Sequence, residues 1–273
     1  MLMHAMQRIH FEVTDSTNSQ ARLLAAVHPG ERLLVTAAEQ TAGRGRQGRR
    51  WMSPRGGAWL TIAWPMQLTP ESYRGVSLAT AVGVRRALVE LLRRGLPAEV
   101  VGVLPSPTIK WPNDLLIEKA KVAGILCEQS HGGTANSNAI YVGIGVNVAF
   151  DQSMLDEPKD GQRLRQRATT LSNAAGRTFA VEDVVEQVSG CVETVLEQFE
   201  QCGLAIPPTA ESRSLIDELR ESLACVGERR TWVSPRGEVN GYIVGIDDEG
   251  RLLLDSDGRV IACDSGELSG EES

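Results

Sequence analysis

Aromatic side chains make up only 4% of this chain, histidines number 4, and no stretch is both long and purely apolar. Each shortage excludes something. The longest uncharged apolar window, residues 56–70, is interrupted by Pro65 and falls short of the ~20 residues that cross a bilayer. No membrane-spanning helix is expected. The first ten residues lack the apolar centre of a signal peptide. The five cysteines, Cys127, Cys191, Cys202, Cys225 and Cys263, are odd in number and widely spaced. They read as reduced thiols of a cytoplasmic protein. None stands in a Cys-x-x-Cys pair, and His4, His10, His28 and His131 show no ligand spacing, so a zinc held by the protein is not expected. The net charge of −7 argues against a dedicated nucleic-acid binder.

What is present suits an α+β protein. With 273 residues and 42% apolar content, the chain can form one large domain, or an ordinary one with a small appendage. Residues 19–27 have helical spacing behind Asp15-Ser16-Thr17-Asn18, one of whose small polar residues should cap that helix. Residues 33–38 and 59–64 read as strands, and 76–92 as a helix. A loop is expected over 95–107. Short apolar runs at 108–111, 114–117, 122–128 and 139–148 alternate with turn-like sequences, including the Gly/Asn-rich stretch 130–138, and favour antiparallel pairing. Residues 151–167 are charged and read as a mobile excursion. An amphipathic helix follows at 182–199 and another at about 209–223. The period then shortens to that of strands near 229–234, 239–246, 251–254 and 260–263, and the acidic tail from Asp264 is expected to fray.

Two segments carry chemistry. Gly43-Arg44-Gly45-Arg46-Gln47-Gly48-Arg49-Arg50-Trp51 alternates glycines, which permit sharp turns and close approach, with guanidiniums that fork onto carboxylate and phosphate oxygens. Lys110-Trp111-Pro112-Asn113-Asp114 places a cation, an amide and a carboxylate within five residues. Together they suggest an adenylate-forming acyl-transfer site. The bland alternatives are a solvated basic loop and a turn aspartate.

These segments occur in order with Asp15-Ser16-Thr17-Asn18, Gln40-Thr41-Ala42-Gly43, Lys121-Val122-Ala123-Gly124-Ile125-Leu126 and Val142-Gly143-Ile144-Gly145-Val146-Asn147-Val148. By them the chain resembles the biotin protein ligase family over residues 10–268. The resemblance implies a catalytic domain similar to class II aminoacyl-tRNA synthetases, residues 1–223, with a mixed or antiparallel sheet. A small SH3-like β module with an acidic tail, residues 224–273, would follow. It implies that biotin and ATP, with Mg2+, give biotinyl-5′-adenylate and pyrophosphate. The acyl group then passes to a lysine of a biotin carboxyl carrier domain.

On the same resemblance, Ser16, Thr17, Asn18, Gln40 and Gly43 receive the biotin ring, with Gly143 and Gly145 letting their strand lie close. For the first group the plain reading is a helix cap, and for the glycines a bulge. Arg44, Gly45 and Arg46 would hold the carboxylate and α-phosphate. Arg49, Trp51, Asn113 and Asn147 would contact the nucleotide, Trp51 by stacking on adenine. Lys121 would be the main electrophilic cation, assisted by Lys110, and Asp114 would orient or deprotonate the incoming amine. The metal ligands are not assignable.

Two features depart from the family pattern. The first motif starts at Asp15, leaving no space for an N-terminal helix-turn-helix, so neither a repressor role nor sequence-specific DNA binding is expected. Lys119-Ala120-Lys121 stands where Gly-Lys-Lys is usual. A lipoate or other acyl ligase of the same fold is the nearest alternative, and a nucleic-acid or regulatory binding module the alternative from another class. The oligomeric state stays open between monomer and homodimer.

Overall fold

A computed structural model of the chain describes residues 6–66, 70–97, 105–129, 139–156, 167–235 and 237–269. Among the described residues, seven strands form the main sheet: β1 (Gln7–Thr14), β2 (Leu33–Gln40), β3 (Gly57–Pro65), β4 (Thr108–Lys110), β5 (Asp114–Ile117), β6 (Ala120–Gln129) and β7 (Ala139–Asn147). Their order is β1-β2-β3-β7-β6-β5-β4. β1 and β2 run parallel because helix α1 (Thr17–Val27) carries the chain back between them, as a parallel pair requires. The other pairs are antiparallel, so the sheet is mixed.

Side-chain alternation divides the core. One sheet face, with Leu34, Leu60, Ile62, Trp64 and Val142, packs on α2 (Pro70–Arg93) and α5 (Val181–Cys202). The opposite face, with Leu33, Val35, Ala63 and Tyr141, takes Ala21 and Leu24 of α1. Close packing of α2 on α5 uses Gly83, where a Cβ would stand 3.0 Å from Val192 Cα. Helix α5 opens with Glu182 and Asp183 against its dipole and ends at Gly203, whose φ is 67°. α3 (Ser153–Asp156) and α4 (Leu171–Ala175) are short.

Several elements differ from expectation in extent. α2 begins at Pro70, a residue suited to a first helical position, which the apolar period from 76 onward does not reveal. α6 (Leu215–Ser222) starts after Ser214, whose hydroxyl accepts from the Asp217 N–H, so residues 209–212 form a turn instead. Within 151–167, residues 151–156 form a turn and α3, while 157–166 lie outside the described residues, as do 98–104 and 130–138. No described helix is long and apolar enough to cross a membrane.

The C-terminal part is an antiparallel sheet of five strands: β8 (Arg229–Ser234), β9 (Gly237–Ile246), β10 (Leu252–Ser256), β11 (Arg259–Cys263) and β12 (Glu267–Ser269), ordered β11-β10-β9-β8-β12. The expected frayed tail is therefore wrong up to Ser269. Gly266, at φ 143°, turns the chain so that β12 pairs with β8. Ile243, Ile246, Leu252 and Leu254 join the main core. Docking is also polar: the Trp111 indole donates to Gly250 O at 3.1 Å, and the Ala224 N–H donates to Ile109 O at 2.8 Å.

Candidate functional site

Polar residues crowd the start of α1. Ser16 occupies the N-cap backbone position, but its side chain makes no capping bond, contrary to the plain reading of this segment. Ser16, Thr17 and Asn18 are all buried. The Thr17 N–H and hydroxyl donate to Gln40 Oε1 at 2.7 and 3.1 Å, and Gln40 Nε2 donates to Ser53 Oγ at 2.7 Å. Thr61 Oγ1 donates to Asn18 Oδ1 at 2.6 Å, while Asn18 Nδ2 donates to Glu128 Oε2 at 2.7 Å. The start of α1 and the end of β2 thus carry both donors and acceptors.

The arginine-glycine segment closes on itself. The Trp51 N–H donates to Gly43 O at 2.9 Å, the Gly45 N–H to Arg49 O at 2.7 Å, and Arg44 bridges Arg50. A 3-10 turn, Arg46–Gly48, forms its tip. Gly43 has no room for a side chain, since a Cβ would lie 2.5 Å from Trp51 O. At Gly45 the nearest atom would be 3.5 Å away, so a side chain fits there. Arg44 donates to Ser19 Oγ at 2.8 Å and Glu128 Oε2 at 3.0 Å, and Arg46 donates to Asn113 Oδ1 at 3.1 Å and Gly266 O at 3.2 Å. Arg49 pairs with Glu267.

Glycines on β6 and β7 make a flat floor. Gly124 and Gly145 are cross-strand partners, and a Cβ on either would meet the Trp51 indole, at 2.9 and 2.6 Å. At Gly143 a Cβ would lie 2.2 Å from Asn18 Oδ1. These glycines therefore seat Trp51 and Asn18; no bulge is recorded between β6 and β7. Lys121 Nζ lies 4.9 Å from the centroid of the Trp51 ring and 2.7 Å from Asp114 Oδ1. The Lys121 backbone is pinned from outside its sheet, donating to Arg167 O at 2.8 Å and accepting from the Thr169 N–H at 2.9 Å.

Asn113 follows the cis Trp111–Pro112 peptide and donates to Ile125 O at 2.9 Å, tying the turn to β6. Asn147, which is buried, donates to Thr169 O at 3.1 Å. Burial holds the Lys110 ammonium below its ordinary pKa, against the opposing pull of Asp114. Burial alone would raise Glu128, yet hydrogen bonds from Asn18 and Arg44, and the charges of Arg44 and Arg22, hold it below the usual carboxylate range. Sequence reasoning missed Glu128, Thr61 and Ser53. Thr61 did leave a signal, as a lone hydroxyl within the apolar run Trp59-Leu60-Thr61-Ile62-Ala63-Trp64. Among the described residues no group of three His, Cys, Asp or Glu gathers as a metal site.

An arginine-glycine loop, a lysine beside a carboxylate and a largely buried polar cluster stand together on one sheet. Comparison with known proteins places the chain. Residues 10–147 match the Biotin/lipoate A/B protein ligase family, and residues 232–269 match the Biotin protein ligase C terminal domain. The chain belongs to this family of ligases. It is 33% identical over 254 residues to the bifunctional ligase/repressor BirA of Bacillus subtilis, covering 91% of this chain and 69% of that protein. It is 32% identical to a biotin acetyl-CoA-carboxylase ligase of Paracoccus denitrificans, covering 88% of this chain and 91% of the other. The biotin protein ligase of Aquifex aeolicus, solved with biotin and ATP, superposes with a TM-score of 0.72 at 25% identity, covering 96% and 97% of the two chains.

Proposed function

We propose that this site ligates biotin to a protein lysine in two steps, with the residues above in stated roles. The observation that carries the assignment is the Lys121–Asp114 pair at 2.7 Å, seated beside Trp51 on the glycine floor and next to the arginine loop through Asn113. Family membership and the relatives' names support the activity. The geometry supports the division of labour.

In the first step a biotin carboxylate oxygen attacks the α-phosphorus of ATP. The bond to pyrophosphate breaks, and a mixed anhydride forms. Negative charge grows on the phosphoryl oxygens, and Lys121 with Arg46 would stabilise it where it develops. Arg44 and Arg49 would orient the anions bidentately. Trp51 would stack on adenine with the face turned away from the glycines, while Asn113 and Asn147 read the base or ribose. Magnesium would enter with ATP, held largely by phosphate oxygens and water.

In the second step the carrier lysine attacks the acyl carbon and AMP leaves. An amine of ordinary pKa about 10.4 arrives mostly protonated, so it needs a nearby proton acceptor. Asp114 would take or orient that proton, and half-buried Lys110 would help balance the charge.

Specificity for the acid rests on the α1 edge. A urea offers one carbonyl and two N–H groups, and Ser16, Thr17, Asn18 and Gln40 carry both complementary kinds of atom. An acid without a urea, such as lipoate, offers no matching carbonyl and N–H groups to exchange for the bonds these residues make with their neighbours, which argues for biotin. The carrier would be a biotin carboxyl carrier domain, encountered in the cytoplasm. A division at residue 223, into a catalytic domain of class II synthetase type and an SH3-like module, agrees with the two sheets. No duplex-reading role is assigned. Pyrophosphate exchange with biotin or lipoate in turn, followed by labelling of a carrier domain, tests the reading. Exchange with lipoate alone would refute it.

A further inference from the structure

The last strand of the C-terminal sheet reaches the arginine loop. Arg46 Nη2 donates to Gly266 O at 3.2 Å, and Arg49 pairs with Glu267, 218 residues further along the chain by number. The backbone at Gly266 requires glycine. Its φ of 143° belongs to glycine, and a Cβ there would stand 2.4 Å from Val233 O and 2.6 Å from Trp232 Nε1. Pairing of Glu267, Leu268 and Ser269 with Val233, Trp232 and Thr231 then fixes the strand against β8. Glu267 is 19% exposed while Arg49 is 51% exposed, so the carboxylate is the anchored partner and the guanidinium is held by it.

We infer that Glu267 is a positioning residue for ATP: it holds Arg49, and with the Gly266 carbonyl the whole arginine loop, where the nucleotide's phosphates arrive. This rests on the two-step reading above and adds β12 as a wall of the adenylation site. Arg46 spans that wall, with Asn113 of the main sheet on one nitrogen and Gly266 on the other. A guanidinium fixed before the anion arrives loses less freedom on binding it. Losing the anchor should therefore cost ATP affinity and spare the biotin pocket at α1.

The test uses the full chain in pyrophosphate exchange, with ATP and biotin titrated separately and melting temperature recorded. Glu267→Ala should raise KM for ATP about twofold to fivefold, the range expected of a partly exposed ion pair, with KM for biotin and Tm close to wild type. Glu267→Asp should recover part of the loss. In an Arg49→Ala background, Glu267→Ala should add nothing further. An unchanged or lowered KM for ATP, an equal rise for biotin, or full additivity with Arg49→Ala would each overturn the inference. Failure here with an inactive Lys121→Ala enzyme leaves the two-step reading intact, whereas an active Lys121→Ala enzyme removes that reading itself.

Discussion

Truncating Lys121 should separate chemistry from folding. Its ammonium lies 2.7 Å from Asp114 Oδ1 and over the Trp51 ring, with 22% of the side chain exposed. Removing a donor aimed at developing charge costs ~10² to 10³ in rate, equivalent to about 2.7–4 kcal/mol of transition-state stabilisation. The structural cost is smaller. The backbone bonds to Arg167 and Thr169 survive truncation, and the lost ion pair is partly solvated, worth about 1 kcal/mol, or about 2–4 °C in Tm for a chain of this size. Lys121→Ala should therefore melt nearly as wild type while biotin-dependent pyrophosphate exchange falls at least a hundredfold. Lys121→Arg retains the charge, but a planar fork does not reproduce a compact ammonium between Asp114 and Trp51, so it should stay well below wild type. Wild-type exchange in a folded Lys121→Ala enzyme would refute the electrophilic role.

Four further outcomes follow from the same geometry. Asp114→Asn should slow acyl transfer more than adenylation in single-turnover measurements of each half-reaction, and equal losses would make Asp114 structural. Gly145→Ala places a methyl 2.6 Å from the Trp51 indole nitrogen, so KM for ATP should rise severalfold with little change for biotin; unaltered ATP kinetics would remove Trp51 from the nucleotide site. Glu128 is held below its ordinary value of 4.5, so its stabilising contribution is complete above that value and disappears as pH falls through the lower folded one. The Tm difference between wild type and Glu128→Gln should accordingly shrink on acidification below pH 4.5, and a constant difference would contradict the assignment. Arg46→Gly removes the span between Asn113 and Gly266, and should release adenylate faster and label bystander lysines, as an adenylate off-rate and an unrelated acceptor protein would show.

The features legible in the sequence were those set by neighbours along the chain. Helix α5 declares itself through Val184, Val188, Val192 and Val195 on one side, all buried, and the short strands β4 to β6 through the turns between them. Contacts set by register and docking were not legible. Nothing local shows that Gly124 and Gly145 are cross-strand partners, because register is decided by which faces of β6 and β7 find the core. Their joint purpose as a seat for Trp51 appears only once they are paired. Glu128 is likewise an ordinary strand-end carboxylate until α1 brings Asn18 to it. The acidic tail is the sharpest case. Charge around Glu267 suggests fraying when read alone, but the same charge becomes the reason for order once Arg49 lies opposite. A charged segment beside a cationic loop of the same chain carries no signature of its own, since the partner that orders it is remote in number. Its order depends on the fold that brings the two together.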